Sequence, residues 1–153
     1  MESIKNCFPF MFSNQNSHLY PSSLEDNIIV PYKEFTVGDV NIMPIEQDHG
    51  TLKSLGFRFG DIAYSTDMKR LDKKAINALK GIKTWVVDAG AYHNADNFVH
   101  ANIETVYELN TQIGAEQVYI MHLPVTMDYQ TVEEELQDGY YMAYDGLELA
   151  FSL

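Results

Sequence analysis

Short apolar runs separated by turn residues dominate the chain between residues 27 and 66. The runs are rich in β-branched and aromatic residues, which favour strands, and pairs such as Pro31-Tyr32 and Gly38-Asp39 divide them. Gly60-Asp61 joins two of the runs as the loop of a hairpin. The pattern predicts strands over residues 28–30, 35–37, 40–45, 54–59 and 62–66.

The second part of the chain alternates helical and strand patterns. Apolar residues recur at helical spacing over residues 73–82 and 103–113, and Gly114 is a stop signal for the second helix. Thr131 followed by Glu134 is a capping-box pattern, which predicts a short helix over residues 131–136. Strands that alternate with helices predict one domain over residues 1–153, of the α/β class with an α+β layered arrangement. The remaining apolar runs predict strands over residues 84–88, 117–122, 140–144 and 147–151.

The first 26 residues fit this scheme less well. Phe8-Pro9-Phe10-Met11-Phe12 is an apolar, aromatic cluster, and a polar stretch follows it from Ser13 to His18. Two interpretations stay open for this segment. The cluster either packs against something outside the domain or folds back onto the domain as an N-terminal arm.

Composition and charge limit the classes of function that we expect for this chain. The 153 residues are 46% hydrophobic and 21% charged, as in an ordinary globular domain. A formal net charge of -12 argues against nucleic-acid binding, which needs clustered Lys and Arg. There is one cysteine, Cys7, no secretory signal and no run of eighteen apolar residues. We therefore expect a cytoplasmic protein without a membrane segment.

Polar residues that can carry chemistry follow the predicted strands. They are His49, Asp67, Asp88, His100 and His122. In layered α/β domains such groups meet beyond the carboxyl ends of the strands, and imidazole with carboxylate suits Zn²⁺, Mn²⁺ or Fe²⁺ rather than Ca²⁺. Taken singly, each residue is equally consistent with a role in a turn or as a helix cap. Asp88 is also consistent with a role in which its carboxylate holds a ligand histidine in one tautomer.

The amino-acid sequences of several segments resemble those of a known family. Residues 44–50, from Pro44 to Gly50, and residues 54–67, from Ser54 to Asp67, carry the strongest likeness, and residues 100–102, 120–122, 128–129 and 143–147 follow in order. Together they resemble the metallo-β-lactamase-fold phosphodiesterases, in the branch of phosphoribosyl cyclic phosphate phosphodiesterase. The resemblance implies the C-terminal part of a metallo-β-lactamase αββα sandwich.

The resemblance also implies a role for each matching residue. His49, Asp67 and His122 match metal ligands of the family, and Asp67 matches the aspartate that bridges two ions. His100 matches an active-site histidine that serves as an acid or as a phosphate contact. The implied cofactor is Zn²⁺ or Mn²⁺, up to two ions in the complete fold, which would activate water against a small phosphodiester.

Two departures from the family pattern qualify that expectation. Residues 89–99 replace a loop that usually carries an arginine and a second histidine, and His93 is one candidate for the missing histidine. The family's His-x-His-x-Asp-His motif is absent, because the five histidines include no pair separated by one residue. His18 lies in a polar stretch and does not replace that motif.

The missing motif predicts a truncated or split hydrolase with little or no activity alone. Its sheet would lack a partner, so we expect either a separately encoded N-terminal half or self-association. A non-catalytic binding or scaffold module that keeps part of the fold is the alternative. A third possibility is a reorganised one-metal enzyme that uses His49, Asp67 and His122, with His93 as a further ligand.

Overall fold

The computed structural model describes residues 2–12 and 22–151. Within them a seven-stranded sheet runs in chain order from β1 to β7. The first four strands pair antiparallel, and the strands from β4 to β7 pair parallel. The strands are β1 Phe35–Val37, β2 Val40–His49, β3 Leu52–Phe59, β4 Ile62–Ser65, β5 Thr84–Asp88, β6 Gln117–Met121 and β7 Tyr140–Met142.

The helices within the described residues are α1 Glu2–Cys7, α2 Pro9–Phe12, α3 Lys73–Leu79, α4 Ile103–Ile113 and α5 Tyr129–Glu135. Side chains cap three of them: Asp72 accepts a hydrogen bond from the Ala75 amide, Asn102 from Thr105 and Asp128 from Thr131. The prediction that Thr131 caps α5 is therefore wrong. Asp128 is the cap, because its carboxylate receives both the amide and the hydroxyl of Thr131 at 2.9 and 2.8 Å.

Three strand predictions also need correction. Residues 28–30 form no strand, and their side chains are exposed, because no neighbouring strand pairs with their backbone. Residues 147–151 form no strand for the same reason, and β7 ends at Met142. The strand expected to end at Ile45 continues to His49, since β2 pairs with β3 as far as the His49–Leu52 pair.

One face of the sheet carries the hydrophobic core. Trp85, Val87, Val118 and Ile120 are 0% exposed and belong to one cluster with the buried residues of α3 and α4. The Trp85 indole donates a hydrogen bond to Ser65 Oγ at 3.0 Å, which satisfies its polar group within the core. This packing holds strands β4, β5 and β6 in fixed positions relative to one another. The residues at the ends of these strands are therefore also held in place.

The opposite face lacks such a cover. We call the open face the row of apolar side chains Phe57, Tyr64, Val86, Tyr119 and Tyr141, which pair across β3 to β7. All five keep solvent exposure, and Tyr64 and Tyr141 are 40% and 41% exposed. The Tyr119 and Tyr141 rings stack with centroids 5.2 Å apart.

The N-terminal helices are exposed and bury no residue. Phe8 and Phe10 of the aromatic cluster lie 49% and 71% exposed, and Lys5 pairs with Asp26. His18 lies outside the described residues. No helix within residues 2–12 and 22–151 combines the length and apolar character that crossing a bilayer requires.

Candidate metal centre

Three adjacent parallel strands deliver polar residues to one edge of the sheet. Asp88 is the last residue of β5, Asp67 lies two residues beyond β4, and His122 directly follows β6. His100 reaches the same place from the loop that joins β5 to α4. Asp67, Asp88, His100 and His122 each offer a ligand atom, and these atoms lie within 4.8 Å of one another. We call these four residues the metal-ligand group.

His49 lies beside the metal-ligand group but outside it. Its Nε2 is 4.0 Å from Asp67 Oδ1, and its ring centroid is 5.2 Å from that of His100. The structure thus brings all three predicted ligands, His49, Asp67 and His122, to one edge of the sheet together with His100. Asp88 is the member that the sequence-based ligand set omits, although its place at a strand end is the same signal that singled out the others.

Hydrogen bonds fix the tautomers of two of these histidines. His49 Nδ1 lies 2.8 Å from the Val99 carbonyl oxygen, and His100 Nδ1 lies 2.6 Å from Asp88 Oδ2. Neither oxygen can donate, so in both rings Nδ1 carries the proton and donates it. The Nε2 lone pairs of His49 and His100 are therefore free to bind a cation or to contact a substrate.

Asp88 is fully buried, and its carboxylate is satisfied by three hydrogen bonds. Oδ1 accepts from the Gly90 amide at 2.7 Å, while Oδ2 accepts from the Met68 amide at 3.1 Å and from His100. A buried carboxylate needs this compensation, because desolvation of an unpaired charge is costly. Through these hydrogen bonds Asp88 connects three segments, which are the end of β5, the segment after Asp67 and the loop that carries His100.

Two members of the metal-ligand group have a left-handed backbone. The φ angle is 50° at Asp67 and 67° at His122. Non-glycine residues adopt this region uncommonly and at an energetic cost, and such residues cluster at functional sites. The sequence carries no signal for these conformations, because tertiary contacts impose them.

Gly90 allows the close approach of two chain segments under the site. A Cβ at this position would lie 2.8 Å from the His122 carbonyl oxygen and 3.0 Å from His122 Cδ2. Only a glycine permits that distance without displacing His122.

His93 lies in a different cluster from the metal-ligand group. Its Nδ1 is 2.6 Å from Glu104 Oε1, its Nε2 is 3.2 Å from Glu135 Oε2, and the Tyr92 hydroxyl donates to the same Glu135 oxygen at 2.9 Å. The hydrogen bond to Glu135 raises the pKa of His93, with a further contribution from Glu104. The same bond lowers the pKa of Glu135. His93 thus links the loop after β5 to α4 and α5 and does not join the ligands.

The donor set suits a divalent transition metal. Two carboxylates and two imidazoles converge, with a third imidazole adjacent, and the backbone of two donors is held in an uncommon conformation. Mixed nitrogen and oxygen donors favour Zn²⁺ and Mn²⁺ over Ca²⁺, which prefers oxygen alone. The residues present therefore fit the metal that the resemblance implies.

Comparison with known proteins gives relatives of greater length. The chain is 28% identical over 151 residues to an octanoyltransferase of Porphyromonas gingivalis, covering 97% of this chain but 30% of that protein. It is similar in fold to a new diphosphatase of the PhnP family, with a TM-score of 0.80 and 20% identity over 97% of this chain and 53% of the other. The metallo-β-lactamase-fold protein YhfI of Bacillus subtilis follows, with a TM-score of 0.71 and 17% identity over 86% of this chain and 58% of the other.

These relatives confirm the predicted fold class, a layered sheet-and-helix fold matching about half the length of metallo-β-lactamase-fold proteins. The sequence itself matches a family over residues 1–123, which is well over half of the chain. That family is described as the beta-lactamase superfamily domain, and the structure holds a possible metal-binding group of Asp and His residues. The chain belongs to the beta-lactamase superfamily domain family.

Proposed function

We propose that this chain carries one half of the active site of a metal-dependent hydrolase that cleaves small phosphodiesters or phosphoanhydrides. The convergence of Asp67, Asp88, His100 and His122 at the carboxyl edge of the sheet carries the proposal. Zn²⁺ or Mn²⁺ is the cofactor that this donor set favours. The similarity in fold to a diphosphatase supports phosphorus chemistry for the site.

The site residues have three different roles in the proposed reaction. Asp67, His122 and His49 would hold the cation, and bound divalent ions supply an activated water and stabilise negative charge on phosphoryl oxygens. His100 would contact the phosphoryl group or the leaving oxygen through Nε2, since Asp88 holds its Nδ1. Asp88 is buried and satisfied, so it acts as a positioning residue for His100.

The open face supports a partner that completes the fold. The chain spans 53% of the diphosphatase, so that relative contains further structure with no counterpart here. A second sheet with an apolar face, either separately encoded or part of a longer polypeptide, would cover Phe57, Tyr64 and Tyr119 and reach the adjacent sheet edge.

The similarity to an octanoyltransferase gives no reason to assign acyl transfer to this chain. The match covers 30% of that protein, so most of it lies outside the shared segment. The single cysteine, Cys7, is exposed, belongs to α1 and is not a member of the metal-ligand group. The metal-ligand group offers carboxylate and imidazole donors and includes no thiol or hydroxyl that could accept an acyl group.

Hydrolysis of bis(4-nitrophenyl) phosphate tests the proposal. We expect a slow release of nitrophenolate that requires added Zn²⁺ or Mn²⁺, disappears in Asp67→Ala and persists in Asp145→Ala, an exposed aspartate in a turn. The rate should rise when a complementary half is supplied. Hydrolysis no faster than the protein-free background, or the same rate in both variants, would instead favour the non-catalytic module.

A further inference from the structure

The carboxylate of Asp67 depends on its backbone for its direction. The side chain is 46% exposed, and its Oδ1 lies 4.0 Å from His49 Nε2, which is beyond hydrogen-bond distance. Asp67 has a φ angle of 50°, in the left-handed region that non-glycine residues adopt at an energetic cost. The contacts that hold this backbone conformation therefore also aim the carboxylate.

Side chains of the β2–β3 hairpin hold both peptide groups that flank the Asp67 Cα atom. The Thr66 carbonyl belongs to the peptide group before Asp67, and it accepts a hydrogen bond from Gln47 Nε2 at 3.0 Å. The Asp67 carbonyl belongs to the peptide group after it, and it accepts a hydrogen bond from Ser54 Oγ at 2.7 Å. Rotation about φ and ψ turns these two planar groups against each other, so the two bonds together fix the Asp67 backbone.

Gln47 and Ser54 form one directed chain of hydrogen bonds. They pair across β2 and β3, and Gln47 Nε2 lies 3.2 Å from Ser54 Oγ. A carbonyl oxygen can only accept, so the Ser54 hydroxyl donates to Asp67 and accepts from Gln47. The second N–H of Gln47 goes to Thr66 for the same reason. Both amide hydrogens of Gln47 are thus used to hold the segment that carries Asp67.

Burial singles out these N–H donors as the contribution of Gln47. The residue is 1% exposed, and its Oε1 accepts no hydrogen bond within residues 2–12 and 22–151. An unpaired buried acceptor is costly, and an apolar side chain of the same length would avoid that cost. Gly56 makes room for the amide, because a Cβ there would collide with Oε1 and lie 2.9 Å from Cδ. The amide is enclosed in a tight space where only its donors are used.

We propose that Gln47 and Ser54 are positioning residues of the candidate metal centre, which aim the Asp67 carboxylate by fixing its backbone. The inference deepens the proposed function and rests on it, since Asp67 would hold the cation. Neither residue belongs to the metal-ligand group, so both would act through Asp67 and not by ligation. A backbone bond from the Lys69 amide to the Asp48 carbonyl, at 2.7 Å, extends the attachment of the same segment to β2.

Zn²⁺ affinity, measured by chelator competition on the full chain, tests the proposal. We expect Ser54→Ala to bind Zn²⁺ about tenfold more weakly than wild type, and Ser54→Thr, which keeps the hydroxyl, to bind within about twofold of it. Gln47→Met keeps the length of the side chain but removes both donors, so it should show the same loss as Ser54→Ala.

The matched control is Ser65→Ala. It removes another serine hydroxyl, one that is buried and accepts the Trp85 indole N–H in the core. This variant should have a lower Tm than wild type but nearly the same Zn²⁺ affinity. Unchanged affinity in Ser54→Ala, or an equal loss in Ser65→Ala, would overturn the proposal.

A metal-free measurement separates this proposal from the proposed function. The Met68 amide belongs to the peptide group after Asp67 and donates to Asp88, so its hydrogen exchange reports on the same segment. With EDTA present, we expect exchange at Met68 to be about fivefold faster in Ser54→Ala than in wild type, and unchanged in Ser54→Thr. Equal exchange in Ser54→Ala and wild type would overturn the positioning role. A wild-type chain that binds no Zn²⁺, with Met68 responding as expected, would contradict the metal centre and support the backbone role.

Discussion

Asp88 is the residue on which the geometry of the candidate centre depends most. Its carboxylate joins Met68, Gly90 and His100 through three hydrogen bonds while it is fully buried. Asp67 and His122 flank it with left-handed backbones, and the Asp88 contacts to Met68 and Gly90 brace the segments next to both. Asp88 is therefore expected to act by positioning His100 rather than by direct ligation of the metal.

Replacement of Asp88 tests that role. Asp88→Asn keeps the shape but removes the charge that receives the His100 Nδ1 proton, so the imidazole loses its fixed tautomer. We expect the metal-dependent rate of bis(4-nitrophenyl) phosphate hydrolysis to fall by about 10- to 100-fold, while Zn²⁺ affinity changes little. The hydrolysis assay measures the rate, and chelator competition measures the affinity. The effects of Asp88→Asn and His100→Ala should not add, because both remove the same contact, and additive losses would show that Asp88 acts independently.

The loop between β5 and α4 is the element that joins the site to the helical layer. Backbone bonds pin it at three places: from Ala91 to the Ala101 carbonyl, from Ile103 to Tyr92 and from Ala101 to Met68. His93 adds side-chain bonds to Glu104 of α4 and Glu135 of α5. The loop is therefore ordered although it has no secondary structure of its own.

The His93 bonds make part of the stability depend on pH. Hydrogen bonding to Glu135 raises the pKa of His93 above its usual 6.5, so protons bind the folded state more tightly. The stabilisation is complete below that ordinary value and is lost as pH rises through the raised pKa. We expect wild type to melt above His93→Gln at acidic pH, with the difference closing at alkaline pH. A difference in Tm that grows with pH would contradict this assignment.

Local sequence signals predicted the elements that depend on local chemistry. Helix α4 matches its predicted range because its apolar spacing is helical and Gly114, with φ of 82°, ends it in the left-handed conformation. The extension of β2 through Gln47 depends on pairing with β3, which a polar stretch does not reveal. Residues 28–30 have strand-forming side chains but no partner strand, so propensity alone misassigned them.

The candidate site likewise combines features that the sequence predicts with features that depend on packing. The residue types and the strand ends are visible in the sequence, and they indicated that His49, Asp67, Asp88, His100 and His122 would meet, while the family resemblance alone selected the ligands among them. The left-handed backbones of Asp67 and His122 and the anchoring of His100 by Asp88 arise from packing between distant segments. These features have no local sequence pattern.

At the scale of the whole molecule, the open face is the feature that most affects behaviour in solution. Its five apolar side chains form a contiguous row across five strands and keep solvent exposure. Contiguous exposed apolar surface on a soluble domain usually marks an interaction site. This agrees with the proposal that another sheet covers it.

The isolated chain should therefore bind a hydrophobic dye such as ANS and associate as its concentration rises. We expect the double variant Tyr64→Lys, Tyr141→Lys to lower dye fluorescence by about twofold, because charge disrupts the apolar row. Val125→Lys, at an exposed position outside the sheet, is the control and should change little. A wild-type chain that is monomeric by sedimentation, free of dye and cooperative in unfolding would rule out the half-fold proposal.

Metal content tests the central claim most directly. Wild type, Asp67→Ala and the control Asp145→Ala are equilibrated with Zn²⁺ or Mn²⁺, freed of excess ion and analysed for bound metal. Wild type and Asp145→Ala should retain the metal and Asp67→Ala should lose it, because Asp67 belongs to the metal-ligand group and Asp145 does not. Equal metal in all three proteins, or none in wild type, would contradict the assignment of these residues as a metal centre.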